Sequence, residues 1–280
     1  MFLVSGTKRS GTSMWMQIFV AAGVEVHGEK FSRAWADGPM RAANPRGFFE
    51  SALRDGIFFG TNPNPMTGEY LRPEAVRETA VKVFVPGVVR TELAFIDGVI
   101  ANVRNWRDHE ASSLRLWKLQ DDQRNAQAPD DPPVEHLAPH LEWWVENFTL
   151  IRDQAIRGYP IQLQTYEALL RDPEPYVRRA LDLIGHGDVE AAMTAVEPKA
   201  RTITDAESDS VEPRIAAVFD DLYDVIDRGL PMSPSLQRAL QTTHRELQPR
   251  IAQWRVTTAR KRLLEGAQPS PALLLGVDLA

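Results

Sequence analysis

The sequence contains no cysteine among its 280 residues. This excludes a disulfide framework and any metal site built on thiolates, and it is compatible with a reducing compartment. The six histidines show no spacing typical of metal ligands. We therefore expect a protein that works without a bound metal.

Long apolar runs are also missing, so the sequence predicts no membrane span. The first strand-like segment follows Met1 almost at once, which leaves no room for a secretory signal, and we expect a cytoplasmic protein. Basic residues (32 Lys and Arg) are fewer than acidic ones (38), giving a net charge of -6. That balance argues against a general nucleic-acid-binding role.

Strand-like and helix-like segments alternate along the chain, which predicts an α/β fold with a parallel sheet. The strand-like segments lie near 2–5, 80–85, 98–103 and 160–165, and the helix-like ones near 14–22, 88–95, 108–119 and 139–157. We expect a single domain over 1–280, with a core over about 1–190 and a C-terminal helical extension over about 205–265. The proline-containing stretch 121–139 is predicted to be irregular.

The segment between the first predicted strand and the first predicted helix has the composition of an anion-binding loop. Gly6 and Gly11 allow tight backbone turns, and two basic residues supply positive charge. At a helix start, backbone N–H groups and hydroxyls can converge on a tetrahedral oxyanion. The residues predicted to bind a phosphate or sulfate are Lys8, Arg9, Ser10, Gly11, Thr12 and Ser13.

This loop departs from the nucleotide triphosphate pattern at one position. Gly6 and Gly11 match the spacing of GxxxxGK[ST], but Thr12 stands where that pattern has its lysine. That lysine reaches the β and γ phosphates of a triphosphate, so its replacement disfavours an ordinary ATP or GTP site. A P-loop kinase or NTPase stays as an alternative function.

A second anion-binding segment follows the strand predicted at 98–103. Arg104 comes directly after that strand, at the edge where parallel sheets bind ligands. If a helix begins near Trp106, its first turns bring Ser112 back toward this arginine. An arginine with a hydroxyl beside it suits a phosphate, so we predict that Arg104 and Ser112 bind a second phosphate group.

Together these motifs resemble those of the sulfotransferases that use 3′-phosphoadenosine 5′-phosphosulfate (PAPS). Residues 8–13 resemble the family's 5′-phosphosulfate loop, which ends in S-G-T-[TS]. Residues 104–112 are similar to its 3′-phosphate motif, R-N-P-R-D-x-x-x-S, with Trp106 in place of the proline. Residues 166–174 look like the family's Y-E-D-L-x-x-D-P-E segment. The resemblance covers roughly residues 2–186.

The resemblance implies a three-layer α/β/α, P-loop-NTPase-like fold with a central parallel sheet and extra helices at the C-terminus. It also implies PAPS as the sulfuryl donor, contact of Arg9 with the leaving phosphate, and an acceptor hydroxyl or, less readily, an amine. That acceptor would be a small molecule, a glycan or a lipid; its identity and the oligomeric state stay open. The R-K-G segment of cytosolic members is not evident, and Lys199 or Arg201 could replace it.

The resemblance leaves the general base unassigned. Lys82 lies in a segment similar to K-T-H-x-P of the cytosolic members, but Phe84 stands where those enzymes have their histidine base. Glu50 and Glu29 are the first candidates to replace it, and His27 is the third. If none of them acts as a base, the chain is a non-catalytic module that binds PAPS or another nucleotide.

The two glutamates are favoured by their sequence context. Glu50 closes an N-P-x-G-F-F-E segment resembling one in many bacterial sulfotransferase-like sequences, and its aromatic neighbours suit base catalysis. Glu29 lies in a stretch similar to the one that carries the catalytic glutamate of tyrosylprotein sulfotransferases. Lys30 stands where that stretch would have another glutamate.

Overall fold

The computed structural model describes residues 1–30, 47–127, 134–197, 201 and 203–264. Lys199, one of the residues considered for the 3′-phosphate site, lies outside the described residues. No helix in the described part of the chain is both long and apolar enough to cross a lipid bilayer.

A central parallel sheet organises the chain. Its strands are β1 (Phe2–Gly6), β2 (Val26–His27), β5 (Ala80–Lys82), β6 (Gly98–Val103) and β7 (Ile161–Thr165). They lie in the order β2-β5-β1-β6-β7, and every neighbouring pair is parallel. A separate antiparallel pair is formed by β3 (Glu29–Lys30) and β4 (Phe49–Glu50).

Nine α-helices are described in these parts of the chain. They are α1 (Thr12–Ala21), α2 (Val85–Arg90), α3 (Trp106–Gln127), α4 (Pro139–Arg157), α5 (Tyr166–Arg171), α6 (Pro173–Ile184), α7 (Val189–Met193), α8 (Pro213–Asp227) and α9 (Pro234–Leu264). Two short 3₁₀ turns occur at Pro73–Val76 and Leu93–Phe95.

The helices cover both faces of the sheet, which gives three layers. Alternate side chains of a strand point to opposite faces. Phe2 and Val4 of β1 therefore pack with α1 and α6, whereas Leu3 packs with α2 and α4 on the other side. Because both faces are covered, β1 and β6 are buried along their whole lengths, as expected for inner strands of a parallel sheet. The predicted α/β class is confirmed.

The last two helices pack on the outer side of α4. The ring of Phe219 in α8 stacks on Trp144 of α4 with 5.0 Å between centroids, and Leu247 and Ile251 of α9 are buried in the same cluster. Helix α9 continues across Pro249, although this residue has no N–H for a helical hydrogen bond. These helices cover the end of the sheet at β7.

Three predicted boundaries were wrong for local reasons. The strand expected over 80–85 ends at Lys82, because Pro86 has no N–H for a ladder and opens α2 instead. In place of the helix expected over 88–95, the chain forms α2 (Val85–Arg90) and then the 3₁₀ turn at Leu93–Phe95. The irregular stretch expected over 121–139 is helical up to Gln127, where Asp121 and Arg124 form an ion pair of 2.9 Å across one turn.

Candidate active site

The loop between β1 and α1 contains several residues with positive φ, a backbone arrangement that suits an anion. Gly6, Arg9 and Gly11 all have positive φ, of 138°, 70° and 89°. Helix α1 begins directly afterwards at Thr12, and the first N–H groups of a helix lack intrahelical partners and form its positive end. The loop thus presents main-chain donors at a helix N-terminus, as the sequence predicts.

Asn102, in β6, fixes this loop to the sheet. Its side-chain amide donates to the Ser10 carbonyl at 3.0 Å, and its oxygen accepts from Trp15 Nε1 at 2.9 Å and from Gln164 Nε2 at 2.6 Å. Because the N–H of Gly11 is antiparallel to the Ser10 carbonyl in a trans peptide, it points away from the sheet. Sequence reasoning missed Asn102, which no motif singled out.

Two residues predicted to bind the anion have other partners. Ser10 is fully buried and its hydroxyl donates to the Thr7 carbonyl at 2.7 Å, so this side chain shapes the loop. Lys8 Nζ lies 3.0 Å from Glu142 Oε1 of α4. Although burial opposes its charge, Glu142 and Glu146 raise the pKa of Lys8 above its usual value. Both side chains are therefore left out of the donor-binding set.

Tyr166 explains why Gly11 has no side chain. A Cβ at Gly11 would lie 2.5 Å from the Tyr166 ring and 3.2 Å from Asn102 Nδ2. The sequence suggests only a structural landmark at Tyr166. In the structure the ring of this tyrosine packs against the loop at Gly11.

Gly11→Ala is therefore expected to lower the free energy of unfolding by roughly 3 kcal/mol, from steric overlap together with strain at positive φ. Urea denaturation followed by circular dichroism measures the effect. Gly185→Ala is the matched control, because Gly185 has a similar φ of 96° but a Cβ there would have no other atom within 4 Å. The control should lose only about 1 kcal/mol. Equal losses in the two variants would contradict the role given to Tyr166.

Arg104 lies behind the loop and is 5% exposed. Its Nη1 donates to the Arg9 carbonyl and its Nη2 to the Ile203 carbonyl, both at 3.1 Å. Its Nε is buried, and no hydrogen-bond partner for it exists among the described residues. Burial lowers the pKa of Arg104 even though Glu167 lies nearby. The guanidinium thus keeps its Nε–H for a further acceptor.

Arg9 lies beside Arg104 and is linked to the first part of α3. Its Nε donates to Ser112 Oγ at 3.1 Å, and its guanidinium lies 5.7 Å from the centre of the Phe48 ring. Burial, followed by the like charge of Arg104, lowers the pKa of Arg9 to about 10. The sequence pairs Ser112 with Arg104, but in the structure this serine bonds Arg9. The two predicted anion-binding segments therefore form one electropositive site.

Lys82 and Glu50 form a second group next to this site. Lys82 Nζ lies 2.8 Å from Glu50 Oε1, and Arg54 Nη1 lies 3.9 Å from Glu50 Oε2. Lys82 is buried, which lowers its pKa although Glu50 opposes the shift. The Phe84 ring centre is 5.8 Å from Lys82 Nζ. Aromatic neighbours led us to expect an apolar setting for Glu50, but its nearest charged neighbours are two cations.

Two contacts join this group to the anion-binding loop. The N–H of Phe49, the neighbour of Glu50 in β4, donates to Ser13 Oγ at 3.3 Å. The charge of Arg9 is also close enough to lower the pKa of Lys82, after burial and the other charged neighbours. The carboxylate of Glu50 therefore lies near the N-terminus of α1.

The other two candidate bases differ in position. Glu29 pairs with Glu50 in the β3–β4 ladder, so the backbone of Glu29 lies next to that of Glu50. His27 lies elsewhere: its Nε2 is 3.1 Å from Thr79 Oγ1, and the pKa of His27 is lowered by burial with Glu25 and the Met1 amino group nearby. Met1 and Thr79 precede β1 and β5, at the edge opposite the loop. The geometry argues against His27 as the base.

Residue 201 and residues 203–206 close the site behind Arg104. Arg201 Nη2 donates to Asp108 Oδ2 at 2.7 Å and lies 3.6 Å from Glu167 Oε1. Asp108 also accepts from the Ala206 N–H at 3.0 Å. Of the two residues considered in place of the R-K-G segment, Arg201 thus lies close enough to act on the charge of Arg104.

Two half-buried carboxylates, Glu142 and Glu146, lie on α4 near Lys8. Burial and the negative charge of Glu142 raise the pKa of Glu146 to about 8, with Lys8 and Arg255 acting in the opposite direction. The folded chain therefore keeps this proton between pH 4.5 and 8, where an unfolded chain loses it. As a consequence, the stability contributed by this site falls as the pH rises through that window.

Glu146→Gln removes this loss of stability at higher pH, because the amide resembles the protonated acid. We expect the variant to exceed the parent in free energy of unfolding by about 1 kcal/mol or more at pH 9, with little difference at pH 5. Chemical denaturation at the two pH values measures this difference. Glu74→Gln, at an exposed position, is the control and should show no pH-dependent gain. A pH-independent effect of Glu146→Gln would contradict the assignment.

Comparison with solved structures adds a weak similarity. No family model and no curated protein matches the sequence. Among solved structures, the sulfotransferase domain from the Synechococcus PCC 7002 olefin synthase aligns with 88% of this chain and 94% of its own, at 15% identity and a TM-score of 0.39. A similarity of this size establishes neither a common fold nor a common activity.

Proposed function

We propose that this chain is a sulfotransferase that moves a sulfuryl group from PAPS to a hydroxyl, or less readily an amine, and releases adenosine 3′,5′-bisphosphate. The observation that carries the proposal is the adjacent pair of the half-buried Arg9 and the buried Arg104, next to a helix N-terminus. Their mutual repulsion contributes to the lowered pKa of Arg9. A bound phosphate would relieve that repulsion and accept from the unpaired Nε of Arg104.

PAPS fits this set of donors because it carries two separate anionic groups. The positive-φ loop and the start of α1 would bind the phosphosulfate, with the hydroxyls of Thr12 and Ser13. Arg104 and Ser112 would bind the 3′-phosphate, with Arg9 between the two groups. When bound, PAPS supplies a sulfuryl group activated by its bond to phosphate.

Residues of this chain must then remove one proton from the acceptor and stabilise the negative charge on the leaving phosphate. We assign proton removal from the acceptor to Glu50, with Glu29 as the alternative base. Lys82 orients Glu50 through their 2.8 Å contact and places positive charge near the leaving phosphate. Phe84, at the position of the family histidine, has no group that could take the proton.

Binding is the first test of the proposal. Adenosine 3′,5′-bisphosphate, titrated into the full chain in a calorimeter, should bind saturably without magnesium. Adenosine 5′-monophosphate, which lacks the 3′-phosphate, is the matched control and should bind at least about tenfold more weakly. Absence of bisphosphate binding would refute the proposal. Tighter binding of magnesium ATP would favour the kinase or NTPase alternative.

Transfer is the second test. Labelled PAPS is incubated with a panel of phenols, sugars, long-chain alcohols, amines and a tyrosine peptide, and labelled products are separated by chromatography. Sulfated product from at least one acceptor class is the expected result. Tight bisphosphate binding without product across the panel would instead indicate a non-catalytic nucleotide-binding module.

We further propose that residues 1–280 form one domain and that the protein acts in the cytoplasm. The contacts of α8 and α9 with α4 support the first part, since they join the C-terminal helices to the layer that covers the sheet. Limited proteolysis should then release no stable fragment that ends before α8.

A further inference from the structure

A cavity of about 770 Å³ lies between α4, the edge strand β7 and the first part of α9. Side chains from all three elements form its apolar wall, among them Phe148 and Ile151 of α4, Leu163 of β7 and Leu240 of α9. None of the residues assigned to the donor site lines it. Its volume falls within the range of small-molecule binding sites.

The rim of this cavity is positively charged. Arg152 of α4 and Arg245 of α9 line it, and both residues are exposed. No aspartate or glutamate is among the lining residues. In the described part of the chain, Arg245 donates only to Gln241 and Thr242, at 3.4 Å, and no carboxylate forms an ion pair with Arg152. The cavity therefore combines an apolar interior with a cationic mouth.

His244 adds a polar group to the wall. Its ring stacks on Phe148, with 4.1 Å between centroids and an angle of 16° between the planes. Its Nδ1 is buried and has no hydrogen-bond partner among the described residues. Burial, with the nearby charges of Arg152 and Arg255, lowers the pKa of His244. With the ring proton on Nδ1, His244 would donate to an anion in the cavity, near the charge of Arg152.

From these observations we infer that the cavity binds a long-chain fatty acid, with the alkyl chain along the apolar wall and the carboxylate between Arg152 and Arg245, beside His244. Charge complementarity favours this occupant over a neutral lipid, because a neutral head group would leave both arginines without a counter-charge. A single alkyl chain needs an apolar wall and its carboxylate needs a cation, and the lining residues supply both. The inference does not depend on the proposed transferase activity.

The test uses 11-(dansylamino)undecanoic acid, whose fluorescence rises in an apolar site, with the full chain and below the micelle concentration. We expect saturable binding at one site, and displacement by palmitate but not by hexadecanol. Adenosine 3′,5′-bisphosphate should not displace the dye. Displacement by the bisphosphate would place the dye in the donor site and overturn the inference.

Charge-removing variants make the test specific. Arg152→Gln/Arg245→Gln changes two exposed side chains, so folding should be retained, and it should weaken dye and palmitate binding at least about tenfold. Arg238→Gln/Arg250→Gln removes the same charge from exposed positions of α9 that do not line the cavity, and it should bind like the parent. Equal binding by the two double variants would overturn the inference.

The chain beyond α9 provides a further check. A variant ending at Leu264 should bind the dye like the full chain. If only this shortened variant bound it, residues 265–280 would compete for the cavity, and the fatty-acid inference would be wrong. Absence of saturable binding in every variant would have the same consequence.

Discussion

Arg104→Ala is expected to weaken the binding of adenosine 3′,5′-bisphosphate by at least about a hundredfold, as the loss of charge-assisted hydrogen bonds implies. Two effects act together. The variant removes the donor with an unpaired Nε, and it frees the carbonyls of Arg9 and Ile203, which Arg104 holds at 3.1 Å. Isothermal calorimetry measures the change directly.

Two further variants separate ligand binding from folding. Arg104→Lys keeps the charge but cannot bond both carbonyls, so it should weaken binding by about tenfold and leave a folded protein. Arg178→Ala, in an exposed ion pair of α6, should leave affinity unchanged. If Arg104→Ala remained folded and bound the bisphosphate like the parent, Arg104 would have no role in the donor site.

Glu50→Gln is expected to slow sulfuryl transfer by at least about a hundredfold, the usual contribution of a general base. The amide keeps the size of Glu50 and can still accept from Lys82, but it cannot take a proton. Release of bisphosphate from PAPS is the measured quantity, with an acceptor from the panel or, in its absence, with water as the acceptor. Affinity for the bisphosphate should stay within about twofold of the parent.

Glu29→Gln distinguishes between the two glutamates whose backbones pair in the β3–β4 ladder. If Glu50 is the base, Glu29→Gln keeps most of the activity. The reverse pattern would assign the proton transfer to Glu29. Glu92→Gln, at an exposed position, controls for loss of a surface charge and should be as active as the parent.

The parts of the structure predictable from sequence are those governed by local patterns. Apolar runs located the inner strands β1 and β6, since inner parallel strands are apolar on both faces. Alternation of apolar and polar residues located the edge strand β7. Glycine spacing located the turns of the anion-binding loop. A side chain at position 6 or 11 would overlap neighbouring atoms, so both positions require glycine. The order of motifs along the chain then predicted that they would meet at one edge of the sheet.

The parts that could not be predicted depend on contacts between distant residues. Lys8 and Glu142 are 134 positions apart, so no local pattern shows that Lys8 turns toward α4. The bond between Arg9 and Ser112 could not be predicted for the same reason, because the path of the Arg9 side chain depends on tertiary packing. Asn102 has no motif at all, and its role follows only from the sheet order.

The bonds of Asn102 also bear on when the site forms during folding. Its partners Ser10 and Gln164 are 92 and 62 positions away along the chain, so the loop is secured only after β1, β6 and β7 have aligned. Contacts of such sequence separation form late, after loop-closure entropy has been lost. If the donor site is as we propose, the bisphosphate binds only after the sheet is complete, and it should raise the free energy of unfolding.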